Sequence, residues 1–249
     1  MTKLEKKKKE KKEKQEKKET PLIKEEKSRL QQVKESFKLN IFLCIAGVLT
    51  VFILYIHKKG SSFIVTFGSL YSIGFFGYFI HLLFHHLCFT DLFNKYNIFT
   101  ENKFFNKCML KITSVFDFHR KIHHNTAINK QPTNMVYEFI NNFIFQGILP
   151  YLLIETFKRF DVRVCFVWGL TYASVHNINY YYLKPKTHQH HHIDEHKNYG
   201  IDIFDIVFGT KYDTSEIESM NHMGFNLIIC AFIIIYLNKY LTKLLNKFK

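Results

Sequence analysis

The sequence predicts an all-α integral membrane bundle with about four transmembrane helices. Mean hydropathy is near neutral, at −0.10, yet apolar and charged residues are segregated along the chain. Four uncharged runs approach or exceed the ~20 residues that cross ~30 Å of hydrocarbon. Three histidine clusters accompany these runs, the first and third at run ends and the second in the polar stretch between the second and third runs, and all three are expected on one side of the bilayer.

Residues 1–38 hold fifteen Lys/Arg and eight Asp/Glu, a net of +7 and half of the chain's formal +14. Such Lys/Glu low complexity reads as a solvated tail, partly helical or disordered. Its lysines suit an anionic leaflet. With no aromatic residue before Phe37, it lacks the base-stacking groups of a nucleic-acid binder. The first span is expected over 39–56, and the second within the thirty residues 61–90, which carry no Asp, Glu, Lys or Arg. Lys58-Lys59-Gly60-Ser61 supplies the turn between them.

Residues 91–138 are polar and mixed. A third apolar stretch, 139–154, has Pro150 near its end, and a charged break over 155–163 leads into the fourth, 164–183. The basic amino terminus stays in the cytosol by the positive-inside rule, and four crossings return every histidine cluster there. A fifth apolar run, 225–237, spans only thirteen residues before a lysine-bearing end. It reads as an interfacial or re-entrant helix, since a full crossing would carry basic residues to the lumen. The expected organisation is a tail (1–38), a membrane domain (39–212) and an apolar, amphipathic segment (213–249). No cleavable leader is expected, because the first apolar run lies behind the long charged tail. Cys44, Cys88, Cys108, Cys165 and Cys230 show no CxxC spacing and read as small hydrophobes.

The chemistry lies in the histidines. The clusters are His81-Leu-Leu-Phe-His85-His86, His119-Arg-Lys-Ile-His123-His124 and His188-Gln-His190-His191-His192. His81 and His85 share one helix face at i, i+4, as do His188, His191 and His192 at i, i+3, i+4. Pro185 suits the start of the latter helix. Ionisable groups beside a membrane point to function, and imidazole is a ligand for Zn, Cu, Fe and Ni. Eight converging rings exceed one tetrahedral zinc site but suit two metal ions. The expected fold therefore carries a cytosolic histidine-lined di-metal site.

The pattern resembles the fatty acid hydroxylase/sterol desaturase superfamily, whose members are membrane-bound histidine-box di-iron oxygenases. That family shows HxxxH, then HxxHH or HxxxHH, then HxxHH, followed by NY(G/A) and a WD-x-x-FGT ending. Here His188-Gln-His190-His191-His192 is followed after five residues by Asn198-Tyr199-Gly200. Phe204-Asp205-Ile-Val-Phe208-Gly209-Thr210 comes next, with Phe204 in place of Trp. His176-Asn-Ile-Asn-Tyr180 is similar to the family's additional histidine. The similarity covers roughly 40–210.

The resemblance implies two Fe ions held among His81, His85, His119, His123, His124, His176, His188, His191 and His192. His119 is the loosest member, because its box takes the longer spacing. His86 and His190 are extra to the boxes and are expected outside the ligand set. Asp194, Asn198 and Asp205, with Glu195, are the expected groups that orient the rings. The implied reaction is hydroxylation or desaturation of a lipid (fatty acyl, sphingolipid or sterol) at an unactivated C–H, with O2 as co-substrate. Electrons would come from cytochrome b5 and its reductase, since no HPGG haem element occurs in the chain. The implied location is the endoplasmic reticulum membrane.

Two other readings fit the same boxes. One is an ether-lipid (alkylglycerol) monooxygenase with a pterin reductant, and the other a metal-binding membrane protein without turnover. Single histidines such as His57 and His222 read as interfacial hydrogen-bonders, and His196 as solvated or ring-orienting. Arg120 and Lys121 either steer an acidic donor or form a solvated basic turn.

Overall fold

The computed structural model describes residues 27–58, 60, 62–96, 102–124, 132–154 and 160–247, and within them every regular element is a helix. Residues 1–26 of the expected tail lie outside the described residues. The remainder of that segment is not tail. Ser28 caps helix α1 (Arg29–Leu39) through a reciprocal box with Gln31, and Gln32 and Ser36 are buried where α1 packs on α9 (Asp202–Phe208).

Asn40 separates α1 from α2 (Ile41–Ile56) with a bend of 63°. Side chains take up the backbone groups near the bend. Asn221 donates to the Leu39 carbonyl at 2.8 Å and accepts the Leu43 N–H at 3.1 Å, while Asn40 accepts the Met220 N–H at 2.5 Å. These bonds start α2 and α10 (His222–Leu245) at one level, so the two run side by side. The segment expected to be interfacial or re-entrant, 225–237, thus lies inside an unbroken 24-residue helix. The apolar count stopped at Leu237, whereas the helix begins at His222 and carries Lys239 and Lys243 on its last turns. Long lysine side chains at a helix end reach the headgroups. The segment is part of the bundle rather than an appendage.

Helix α3 (Phe63–His86) returns beside α2 and ends in the first histidine cluster. Helices α3 and α10 are each long and apolar enough to cross a membrane, and α1 with α2 makes a third only as a bent pair. Two further helical stretches, expected as single spans, each contain a π-turn. Helix α6 (Pro132–Phe143) passes through Ile144–Ile148 and ends as Leu149–Ile154. Helix α7 (Arg163–Ser174) passes through Val175–Asn179 and ends as Tyr180–Leu183. Between α3 and α6 lie the short helices α4 (Phe89–Tyr96) and α5 (Lys103–Phe116) and a π-turn at His119–His123.

Lipid tails are as apolar as the side chains, so helices within a bilayer associate by close packing. Gly147 and Gly169 provide it where the 132–154 helix meets α7. A Cβ on Gly169 would sit 2.6 Å from the Gly147 Cα. The core between α2, α3, α7 and α10 is filled by Val51, Leu54, Ile73, Val167 and Trp168. At the end away from the histidines, buried Asp161 accepts from Thr66 at 2.8 Å and pairs with Arg163 at 2.7 Å. That pair ties α3 to the start of α7.

Candidate metal centre

Four separate stretches deliver the histidines to one place. The last turns of α3 carry His81 and His85 inward, both buried. The second box sits on a π-turn, closed by the bond from the His124 N–H to the His119 carbonyl at 3.3 Å. An i→i+5 turn is wider than an α-turn, and such turns recur at functional sites. Here it absorbs the extra residue of the longer spacing, so His119, His123 and His124 all face the cluster. His119, the loosest member by sequence, has its Nε2 3.0 Å from Nε2 of His81 and 3.1 Å from Nε2 of His85.

The third box lies on α8 (Lys186–Ile193). Its orphan N-terminal N–H groups are taken by a distant carboxylate. Glu218 accepts the Lys186 and Thr187 N–H groups at 2.9 and 2.7 Å and the Thr187 hydroxyl at 2.6 Å. His188, His191 and His192 then point at the same cluster. The π-turn Val175–Asn179 presents buried His176 from α7.

Candidate ligand atoms lie within 4.8 Å of one another in three overlapping sets. Two share no ring, a first group of His81, His85, His119 and His191 and a second of His123, His176 and His188, and the third, His119, His123 and His124, bridges them. His192 joins the second group with Nε2 3.1 Å from Nε2 of His188. His124 lies between the groups, its ring centroid 4.7 Å from that of His85 and 4.8 Å from those of His191 and His192. His86 stacks on His196 at 5.1 Å and His190 on Tyr212 at 4.5 Å, both outside the two groups.

Partners behind the rings set their tautomers. A carbonyl only accepts, so His81 donates its Nδ1–H to Tyr199 O at 2.5 Å, and His191 its Nδ1–H to Lys197 O at 2.5 Å. Each Nε2 is left as a lone pair aimed into the cluster. The Glu138 carboxylate lies 2.6 Å from Nδ1 of His123, and both are buried. Glu195 stands 3.9 Å from Nδ1 of His85 and pairs outward with Arg120 at 3.4 Å.

This set of donors fits metal ions. Nε2 of His124, His176 and His191 is buried with no hydrogen-bond partner in the protein, and a buried acceptor left unmade costs about 1–3 kcal/mol. Three nitrogens about 3 Å apart, as in His81, His85 and His119, cannot all hydrogen-bond to one another, since each ring brings at most one proton to Nε2. One metal ion bound by His81, His85 and His119 would take up all three lone pairs at once. Burial, reinforced by neighbouring rings, holds His119, His188 and His191 well below the ordinary imidazole value, His124 at about 2 and His192 at about 4. These rings are neutral at physiological pH, the form that binds metal.

The expected orienting groups are placed differently. Asp194 accepts the His196 N–H at 3.0 Å and touches no ring of the cluster. Asn198, at φ 57°, donates to Thr187 O at 2.9 Å and accepts the Tyr212 N–H at 3.0 Å, tying α8 to the chain end beyond α9. Asp205 acts at one remove. It accepts from Tyr199 N–H at 2.8 Å, Gly200 N–H at 3.2 Å and the Thr210 hydroxyl at 2.7 Å, and so fixes the peptide that holds His81. Burial still lifts its carboxyl to about 6. The ring-orienting carboxylate that sequence reasoning missed is Glu138. Its signal was present, because it is the single charged residue in 132–154, and a lone acid in an apolar helix is a functional candidate.

Arg120 and Lys121 both engage carboxylates of the chain, Glu195 and Asp117 at 3.4 and 3.0 Å. A cavity of about 530 Å³ opens onto the second group, lined by His123, His176, His188 and His192 with Met135 and Tyr181. A larger opening of about 960 Å³ lies on the outer side of α8 and reaches only His190 among the histidines. No family model, no curated protein and no solved structure matches the chain.

Proposed function

We propose that the chain is a membrane di-iron oxidoreductase that hydroxylates or desaturates a lipid with O2, taking electrons from cytochrome b5. It would sit in the endoplasmic reticulum membrane with the histidines cytosolic, α3 and α10, the two helices of crossing length, spanning beside α2 and the 132–154 and 163–183 helices. One observation carries the reading. Nine histidines from three boxes and one intervening helix form a single cluster, six of them buried, with the Nε2 lone pairs of His81 and His191 turned inward by backbone carbonyls. Two bound iron ions would supply O2 reduction and the removal of hydrogen from an unactivated C–H.

The protein's own groups would do the rest. His81, His85, His119 and His191 would hold one ion, and His123, His176, His188 and His192 the other. His124 is within reach of both. The Tyr199 and Lys197 carbonyls and Glu138 keep the ring protons on the outer nitrogens, so no proton competes for the inner ones. Of the first group only His81 lines a pocket, a small one of about 40 Å³ that it shares with His176 and His188, whereas the second group faces the 530 Å³ cavity. Exposed Tyr181, Tyr182, Leu183 and Ile193 near that opening suit the headgroup level of a bilayer and offer an acyl chain a lateral way in.

Metal content per chain is the test, on protein made with iron supplied and zinc restricted, because zinc outcompetes ferrous iron for imidazole. About two irons per chain, as two four-nitrogen groups require, lost in His191→Ala, is the expected result. At most one iron, unaffected by that substitution, would remove the di-iron reading and leave a metal-binding protein.

A further inference from the structure

Helices α4 and α5 stand off the bundle. They pack chiefly on each other and are rooted at one end. There the Asp117 carboxylate takes the Phe89 and Thr90 N–H groups at 2.7 and 3.0 Å. Phe89 and Phe116 pack on Phe84 and Phe145, and Asn141 donates to Val115 O at 3.0 Å. Phe84 lies on the last turn of α3, a helix of membrane-crossing length, so the root sits at headgroup depth if α3 spans.

Along α5, Lys103, Lys107 and Lys111 recur at i, i+4 and i+8 and form one exposed row. Residues 103–116 contain no Asp or Glu. The adjoining row, one residue further round, is apolar and uncovered, with Phe104 at 78%, Ile112 at 50% and Val115 at 49% exposure. Helix α4 adds exposed Leu92 and Tyr96 at i, i+4. A contiguous exposed apolar face marks an interaction surface. An apolar row edged by lysines alone, on an arm at headgroup depth, matches an interfacial helix on an anionic leaflet.

We propose that α5 is an interfacial anchor on the histidine side of the membrane. Its Phe104–Ile112–Val115 row sinks into the leaflet, and Lys103, Lys107 and Lys111 engage anionic headgroups. The helix ends two residues before His119 (Asp117 and Phe118 intervene), so lipid contact braces the segment that leads into the second histidine box. The inference does not depend on the metal-centre reading.

The test is fluorescence of Phe104→Trp in the full chain, in nanodiscs of brominated phosphatidylcholine with and without phosphatidylserine. The wild-type protein supplies the background of buried Trp168. Emission should shift to the blue and be quenched by the brominated tails when phosphatidylserine is present. Quenching should be lost without phosphatidylserine, or when all three lysines are changed to Gln. Ile112→Trp repeats the measurement at a second site. Water-like, unquenched emission from both probes would overturn the proposal. Blue-shifted but unquenched emission would overturn it in favour of a protein partner. Quenching indifferent to phosphatidylserine would overturn the role of the lysines.

Discussion

Glu138 Oε1 lies 2.6 Å from Nδ1 of His123, with both side chains buried between α6 and the second histidine box. A carboxylate this close favours the ring proton on Nδ1, and His123 shares a candidate ligand set with His176 and His188. Removing such a partner typically lowers metal affinity about 10–100-fold. Glu138→Ala is expected to do so by chelator competition. Glu138→Gln, which keeps an oxygen acceptor for the ring N–H, is expected to recover most of the loss. Unchanged affinity in Glu138→Ala would show that the contact does not hold the ring.

The extra histidines provide an internal control. His190 stacks on Tyr212 and His86 on His196, away from the two groups. His190→Ala and His86→Ala are expected to bind metal and turn over as the parent does. His124→Ala, at the junction of the groups, is expected to lose turnover while inserting normally into membranes. Near-normal turnover in His124→Ala would remove it from the ligand set.

Acid should destabilise the metal-free protein from an unusually high pH. Folding holds His119, His124, His188, His191 and His192 below the ordinary value of about 6.5. Below 6.5 the unfolded chain binds protons that the folded chain refuses, so stability falls with falling pH. Each ring contributes up to about 1.4 kcal/mol per pH unit until its folded value is reached. For His192 that window closes at about 4, and for His124 at about 2. Thermal denaturation in detergent should show a midpoint that drops steeply below pH 6.5, and bound metal should move the drop to lower pH. A flat midpoint from pH 7 to 5 would contradict the burial of these rings.

Gly169→Ala tests the helix crossing. The new Cβ would meet Gly147 backbone at 2.6 and 2.9 Å, and backbone cannot swing aside as a side chain does. Overpacking of this kind costs about 1–3 kcal/mol, so a lower denaturation midpoint is expected. Gly68→Ala, at a helical position where nothing lies within 4 Å, should not lower the midpoint and should raise it slightly, since Ala favours the helix over Gly.

Much of the site was legible because its signals are local. The spacing of His81 and His85, or of His188, His191 and His192, is a property of one helix turn and can be read without a neighbour. The π-turn under His119 was not legible, since no residue type marks it. It became apparent only through the wide bond closing on His124. The length of the C-terminal helix was not legible for a related reason. Hydropathy counts side chains, whereas helix length is set by backbone bonds that run on past Lys239.

What the sequence determined by itself was an all-helical chain with apolar runs of crossing length and a set of nine histidines on three boxes and one further helix. Only the tertiary structure decided how those histidines come together, which carbonyl or carboxylate stands behind His81, His85, His123 and His191, and which rings face the open cavity. His81 meets His119 and His191 across long stretches of chain, and His123 meets Glu138 from another helix. Such pairings follow from how helices cross, at places like Gly147 and Gly169, and helical periodicity carries no information about crossings.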